Sequence, residues 1–194
     1  QMAAYEKNQH PWIDGERPTS SEAANAEMPL LGVCLGAQLL ARAAGGEARA
    51  GAHGAEVGVL AVDLSPDALR DPLFADLSPT ITALQWHGDT FDLPPDARLL
   101  ATSDEYPQAF RIGNAYGLQF HVEVTSAMAQ DWSQVPAYAA SLDAVLGDDA
   151  FPRLLADFEH AQPEMRQAAE AIAHRFVDLI TARRAAVAAA SGDR

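Results

Sequence analysis

Apolar residues change their spacing along this chain, and the changes mark its elements. Leu30 to Val33 is a short unbroken apolar run. From Leu35 to Ala44 the apolar positions follow a helical period until Gly45-Gly46, which predicts a strand, a turn at residue 34 and a helix with a glycine stop. Val57 to Leu64 alternates weakly, as a strand does. Thr80 to Trp86, Leu99 to Ser103, Ala109 to Ile112 and Tyr116 to His121 read as further strands, the last two joined by a Gly113-Asn114 hairpin turn that tolerates positive φ. Between them, Ser65 to Leu77 carries Pro66 and Pro72 and is limited to short helical turns, and His87-Gly88-Asp89 reads as a loop. After Thr125 the period turns helical. Ser126 to Trp132, with Ser126 as N-cap, and Pro136 to Leu146, closed by Gly147, are two short helices. A last helix is expected from Pro163 to about residue 190, its stripe of Met165, Ala169, Ile172, Phe176, Leu179 and Ile180 facing a core, with residues 185–194 fraying. Residues 1–27 are polar and turn-rich around His10-Pro11-Trp12-Ile13 and read as loop with a short helix.

Strands alternating with helices predict an α/β fold. The expected sheet is open and mostly parallel, with helices on both faces and an antiparallel hairpin spanning Gln108 to His121. No repeat or linker divides the chain, so residues 1–194 are expected to form a single domain in which 126–194 is a C-terminal helical segment.

Charge narrows the partners. Thirteen basic against 27 acidic residues leave a formal net charge of −14, with no basic stripe to displace counterions, so nucleic acid is not an expected partner. No apolar run approaches the roughly 18 residues of a membrane span, and no signal peptide is seen. No Cys/His cluster at zinc spacing, P-loop or Gly-x-Gly-x-x-Gly occurs, so neither a metal nor a cofactor is expected. One cysteine permits no intrachain disulfide, which fits a reducing compartment and a cytoplasmic location.

That cysteine is the chemical centre of the sequence. Cys34 lies between Gly32 and Gly36 where the first strand meets the first helix, a turn that strains the central residue and that glycines relieve of clashing Cβ atoms. The helix opening at Leu35 aims its unpaired N–H groups and positive dipole end at the sulfur, which suits a nucleophile. Downstream, His121-Val122-Glu123 places an imidazole and a carboxylate two residues apart on what reads as one strand face, so Glu123 can orient His121 and stabilise its imidazolium. His121 is then the general base for Cys34. His87 and Gly88 are expected at the same end of the sheet and are candidates for substrate contact, chiefly through backbone groups, with a loop-stabilising hydrogen bond as the other reading of the His87 ring.

The order Cys, His, Glu, with Gly32-Val33-Cys34-Leu35-Gly36-Ala37-Gln38 and Gly117-Leu118-Gln119-Phe120-His121-Val122-Glu123, resembles the class I glutamine amidotransferases. The nearest likeness is to the stand-alone GMP synthase-like group, over roughly residues 1–130, and includes Leu84 to Pro94 and Gln108 to Arg111. The resemblance implies a flavodoxin-like sheet and hydrolysis of the glutamine side-chain amide to glutamate and ammonia through a γ-glutamyl thioester on Cys34. It makes the backbone N–H of Leu35 an oxyanion-hole donor and Gln38 a substrate contact, and it allows an ammonia-accepting synthetase on a separate chain. Ala37 and Val122 depart from the histidine and proline common at those positions, without touching the three reactive groups. Relatives also carry an N-terminal strand-helix-strand portion ending in a Gly-Gly-Pro turn that supplies the other oxyanion donor. This chain opens about where that turn would finish, so the expectation is of a truncated domain with a half-built oxyanion hole, not assured of activity alone. Two other functions are compatible with the same residues: a hydrolase of γ-glutamyl amides or peptides, and a non-catalytic binding or regulatory module.

Overall fold

The structure, a computed structural model, describes residues 29–192; the expectations for residues 1–27 lie outside the described residues. Its centre is a six-stranded sheet of order β1-β8-β7-β6-β3-β4, built from β1 (Leu30–Val33), β3 (Glu56–Leu64), β4 (Thr80–His87), β6 (Arg98–Thr102), β7 (Pro107–Ile112) and β8 (Ala115–Leu118). A separate antiparallel pair joins β2 (Glu47–Ala50) to β5 (Asp89–Asp92). Four α-helices complete the described residues: α1 (Leu35–Ala43), α2 (Ser126–Ser133), α3 (Pro136–Leu146) and α4 (Ala150–Gly192).

The α/β architecture is as expected, but among the described residues the sheet is mixed and not mostly parallel. Among the described residues only β1 and β8 run parallel; β8–β7, β7–β6, β6–β3 and β3–β4 are antiparallel. Short connections are the cause. A parallel neighbour needs a long crossover, whereas β6–β7 and β7–β8 are joined by a few residues each, the second through Gly113 at φ 56°.

Helices do cover both faces. Along β8, Ala115 points toward α1 and packs with Ala37, Leu40, Ala41, Phe91 and Phe110, while Tyr116 and Leu118 point the other way, into a core with Val62, Leu100, Phe120 and Ile172 of α4. This is the two-residue alternation of a strand buried on both sides. A third cluster sets Leu84 of β4 against Val124, Leu142, Leu154, Phe158 and Met165, so α2, α3 and α4 pack on the rim that follows residue 121.

The C-terminal helices differ from the expectation in two places. Thr125, not Ser126, caps α2, its hydroxyl accepting from the Met128 N–H at 3.3 Å. The last helix begins at Ala150 and runs 43 residues with Pro163 inside it. Proline removes one helical hydrogen bond, yet Phe158 and Met165 on either side of it are buried in the same cluster, and that packing holds the axis together. Its start is fixed by the Asp143 carboxylate of α3, which accepts from the Ala150 N–H at 3.1 Å. No described helix is long and apolar enough to cross a membrane.

Candidate functional site

Cys34 occupies the single residue between β1 and α1, at φ 52° and ψ −108°. Such angles cost a non-glycine residue about 1–3 kcal/mol and persist only where the surroundings impose them. The Cys34 N–H donates to the Leu118 carbonyl at 2.7 Å, extending the β1–β8 pairing through the turn, and its own carbonyl accepts from Ala37 and Gln38 in the first helical turn. Gly32 makes the bend feasible, because a Cβ there would lie 2.5 Å from the Gly36 carbonyl oxygen. Gly36 does not play the part expected of it. A Cβ at Gly36 meets nothing within 4 Å.

His121 reaches the same rim from the other side. Strand β8 ends at Leu118, so the histidine is not at the end of a continuous strand. It forms a lone bridge to β4, its N–H donating to the Leu84 carbonyl at 2.9 Å and its carbonyl accepting from the Leu84 N–H at 2.9 Å. Glu123 approaches through a bend, not through strand alternation: one carboxylate oxygen lies 2.6 Å from His121 Nδ1, and the other accepts from the Val122 N–H at 3.0 Å.

The Cys34 side chain lies near enough to the ring to act on its affinity for a proton. Burial disfavours a charged imidazole, but the neighbouring Cys34 and Glu123 favour it more strongly, and the His121 pKa is pushed up to about 10. For Glu123, burial raises the carboxyl pKa, while the bond to His121 and the charge of the ring bring it below its ordinary value.

Gln38 and Gln119 lie beneath the sulfur. The Gln38 amide donates to the Asp89 carbonyl at 3.3 Å and to Gln119 Oε1 at 3.2 Å, and the Gln119 amide donates to Cys34 Sγ at 3.7 Å. Gln38 is 3 % exposed, yet its Oε1 has no hydrogen-bond partner among the described residues. Leu35 is the first residue of α1, so its N–H is among those a helix leaves without an intrahelical acceptor.

His87 ends β4 and is 1 % exposed, with both ring nitrogens engaged. Nδ1 lies 2.9 Å from the Asp89 carbonyl; Nε2 lies 3.2 Å from Gln85 Oε1 and 3.2 Å from Glu56 Oε2. The Gly88 carbonyl accepts from Gly51 at 2.8 Å. The ring of His87 therefore secures the turn between β4 and β5, and the sequence reading of 87–89 as loop misses that β5 begins at Asp89.

Sequence reasoning also misses a buried polar layer. Gln85 donates to Gln108 at 3.0 Å, and Gln108 donates to Glu56 at 2.7 Å and to Ser103 at 3.2 Å, with Glu56, Gln85, Gln108 and Gln119 all buried. A signal for it is present in the sequence: glutamines 85, 108 and 119 each interrupt an apolar stretch, and a buried amide requires partners.

A mixed sheet with helices on both faces and a cysteine at a strained strand-to-helix turn defines an α/β protein. The sequence profile described as "Glutamine amidotransferase class-I" matches residues 6–131, and the chain belongs to that family. It is 34 % identical over 119 residues to the glutamine amidotransferase-like protein YfeJ of Salmonella typhimurium, covering 59 % of this chain and 49 % of that one. It is 37 % identical over 101 residues to one subunit of the glutamine-hydrolyzing GMP synthase of Sulfolobus acidocaldarius, covering 50 % and 52 %. The chain thus spans about half the length of the curated relatives it matches. Among solved structures it is similar to a glutamine amidotransferase from Thermotoga maritima, with a TM-score of 0.82 at 33 % identity over 91 % of this chain and 74 % of that chain. It is also similar to a glutamine amidotransferase from Methylobacillus flagellatus, with a TM-score of 0.78 at 25 % identity over 92 % and 73 %.

Proposed function

We propose that this protein hydrolyses the side-chain amide of glutamine through a thioester on Cys34, working in the cytoplasm and passing ammonia to an acceptor enzyme on another chain. The observation that carries this reading is the His121 ring, whose Nδ1 lies 2.6 Å from a Glu123 carboxylate oxygen while the Cys34 side chain acts on the same ring. With a pKa of about 10, the ring carries its proton at neutral pH, before substrate arrives. Cys34 Sγ adds to the γ-carbonyl carbon and the carbonyl oxygen gathers negative charge, with the Leu35 N–H as one donor to it. When the tetrahedral species collapses, the C–N bond breaks, His121 gives its proton to the nitrogen, and ammonia leaves.

Acylation removes the negative sulfur that favoured the charged ring, so the affinity of His121 for a proton falls at the step where a base is needed. The neutral ring then takes a proton from water, the hydroxide adds to the thioester, and glutamate departs as the sulfur is released. Gln38 is the proposed substrate contact, its unpartnered Oε1 accepting from a substrate N–H. Gly88 and His87 act through the backbone of the β4–β5 turn. The Sulfolobus relative is designated one subunit of its synthase, which favours an acceptor on a separate chain.

Ammonia release from glutamine tests the proposal, with γ-glutamyl conjugates assayed alongside. Activity on glutamine that disappears in Cys34→Ala while the fold persists is the expected result. Full activity in Cys34→Ala would remove the nucleophile assignment, activity confined to conjugates would make the protein a γ-glutamyl hydrolase, and a chain that neither turns over nor is labelled by electrophilic glutamine analogues would be a binding module.

A further inference from the structure

We infer that Gln119 is a catalytic residue that presents an N–H donor to the Cys34 sulfur and holds it in its attacking position. The inference rests on the reading of Cys34 as nucleophile. It starts from a carbonyl that has no choice of role. The Asp89 backbone oxygen can only accept, so the Gln38 side chain must turn its NH2 toward it at 3.3 Å. The second hydrogen of that NH2 points to Gln119 at 3.2 Å, which obliges Gln119 to offer its oxygen there. The amide group of Gln119 is then fixed end for end, and its own NH2 faces Cys34 Sγ at 3.7 Å.

Three links thus carry one donor direction from the β4–β5 turn to the sulfur. A flipped Gln119 would turn its NH2 against the NH2 of Gln38 and its oxygen against the sulfur, so the same contacts disfavour the alternative orientation. Gln119 is fully buried and its backbone N–H donates to the Gln108 carbonyl at 2.8 Å, so neither its side chain nor its main chain is free to drift. A fixed N–H gives the sulfur a donor on one side and restricts its rotamer. Strain at Cys34, where φ is 52°, aims the sulfur out of the turn, and Gln119 defines where it stops.

Alkylation of the full chain by iodoacetamide reads this without glutamine, and Cys34 is the only cysteine that can react. Gln119→Met keeps the side-chain length and removes the donor. It is expected to lower the second-order rate of alkylation about tenfold, as loss of one hydrogen bond to a charged group does, with the circular dichroism spectrum unchanged. Folded Gln119→Met that reacts at the parent rate overturns the inference. If that variant does not fold, Gln38→Met decides: it leaves the sulfur's neighbour in place but removes the donor that orients it, and it should slow alkylation about threefold, whereas an unchanged rate overturns the inference. A parent protein that alkylates readily, slows in Gln119→Met and yet releases no ammonia from glutamine would overturn the glutaminase reading and leave this one standing.

Discussion

Replacing Gly32 with alanine tests how the turn at Cys34 is held. A Cβ on residue 32 would lie 2.5 Å from the Gly36 carbonyl oxygen, 2.6 Å from its carbonyl carbon and 3.0 Å from the Ala37 nitrogen. All three are backbone atoms in the first turn of α1, and none can rotate away. Carbon and oxygen in contact normally sit at about 3.3–3.6 Å, so strand and helix must separate by roughly 1 Å. Overpacking of this kind costs about 1–3 kcal/mol, and a contact against backbone belongs at the upper end. For a chain of this size about 3 kcal/mol lowers Tm by roughly 6–12 °C. A shift of roughly 1 Å at a reacting atom also costs about a hundredfold in rate.

Gly36→Ala is the internal control. It has open space around the new Cβ and lies within α1, so it should hold or raise stability by up to about 1 kcal/mol. Thermal melting of both variants, with iodoacetamide alkylation of Cys34, checks the pair. Equal melting temperatures for Gly32→Ala and the parent, or equal losses in the two variants, would refute the steric account of the turn.

Three further outcomes are expected. The His121 ring, followed by NMR, should titrate near pH 10 in the parent and markedly lower in Glu123→Gln. Because its folded pKa is raised, the stability it contributes is complete below its ordinary value of 6.5 and disappears as pH rises toward 10; Glu123, whose pKa is lowered, contributes above its ordinary 4.5 and loses that contribution as acid is added. Glu56→Ala strips a buried partner from His87 and Gln108, and urea unfolding should register a loss of about 2–5 kcal/mol. Asp143→Ala removes the acceptor at the start of α4 and should cost about 1 kcal/mol by the same measurement.

The parts of the site legible in the sequence are those encoded locally. Cys34 stands out because glycines and a strand-to-helix change surround it within a few residues, and His121 with Glu123 because they are two apart. Even there the mechanism of approach differs: a bend after Leu118, not strand alternation, brings the carboxylate to the ring. Long-range consequences are harder to read. Glu47 to Ala50 and Asp89 to Asp92 have little strand character of their own and become strands only by pairing with each other. Pro163 reads as a boundary until Phe158 and Met165 are seen in one buried cluster. Alternation of strands and helices suggests a parallel sheet, but the short hairpin connections are what decide strand direction.

The lone bridge between Leu84 and His121 means that Cys34 and His121 stand on different foundations. The sulfur is anchored by β1 and α1, whereas the imidazole hangs from β4, whose Leu84 is pinned by Phe158 and Met165 of the terminal helix. Damage to that distant helix would therefore displace the imidazole while the turn that carries Cys34 stays folded, separating the two side chains without unfolding either anchor.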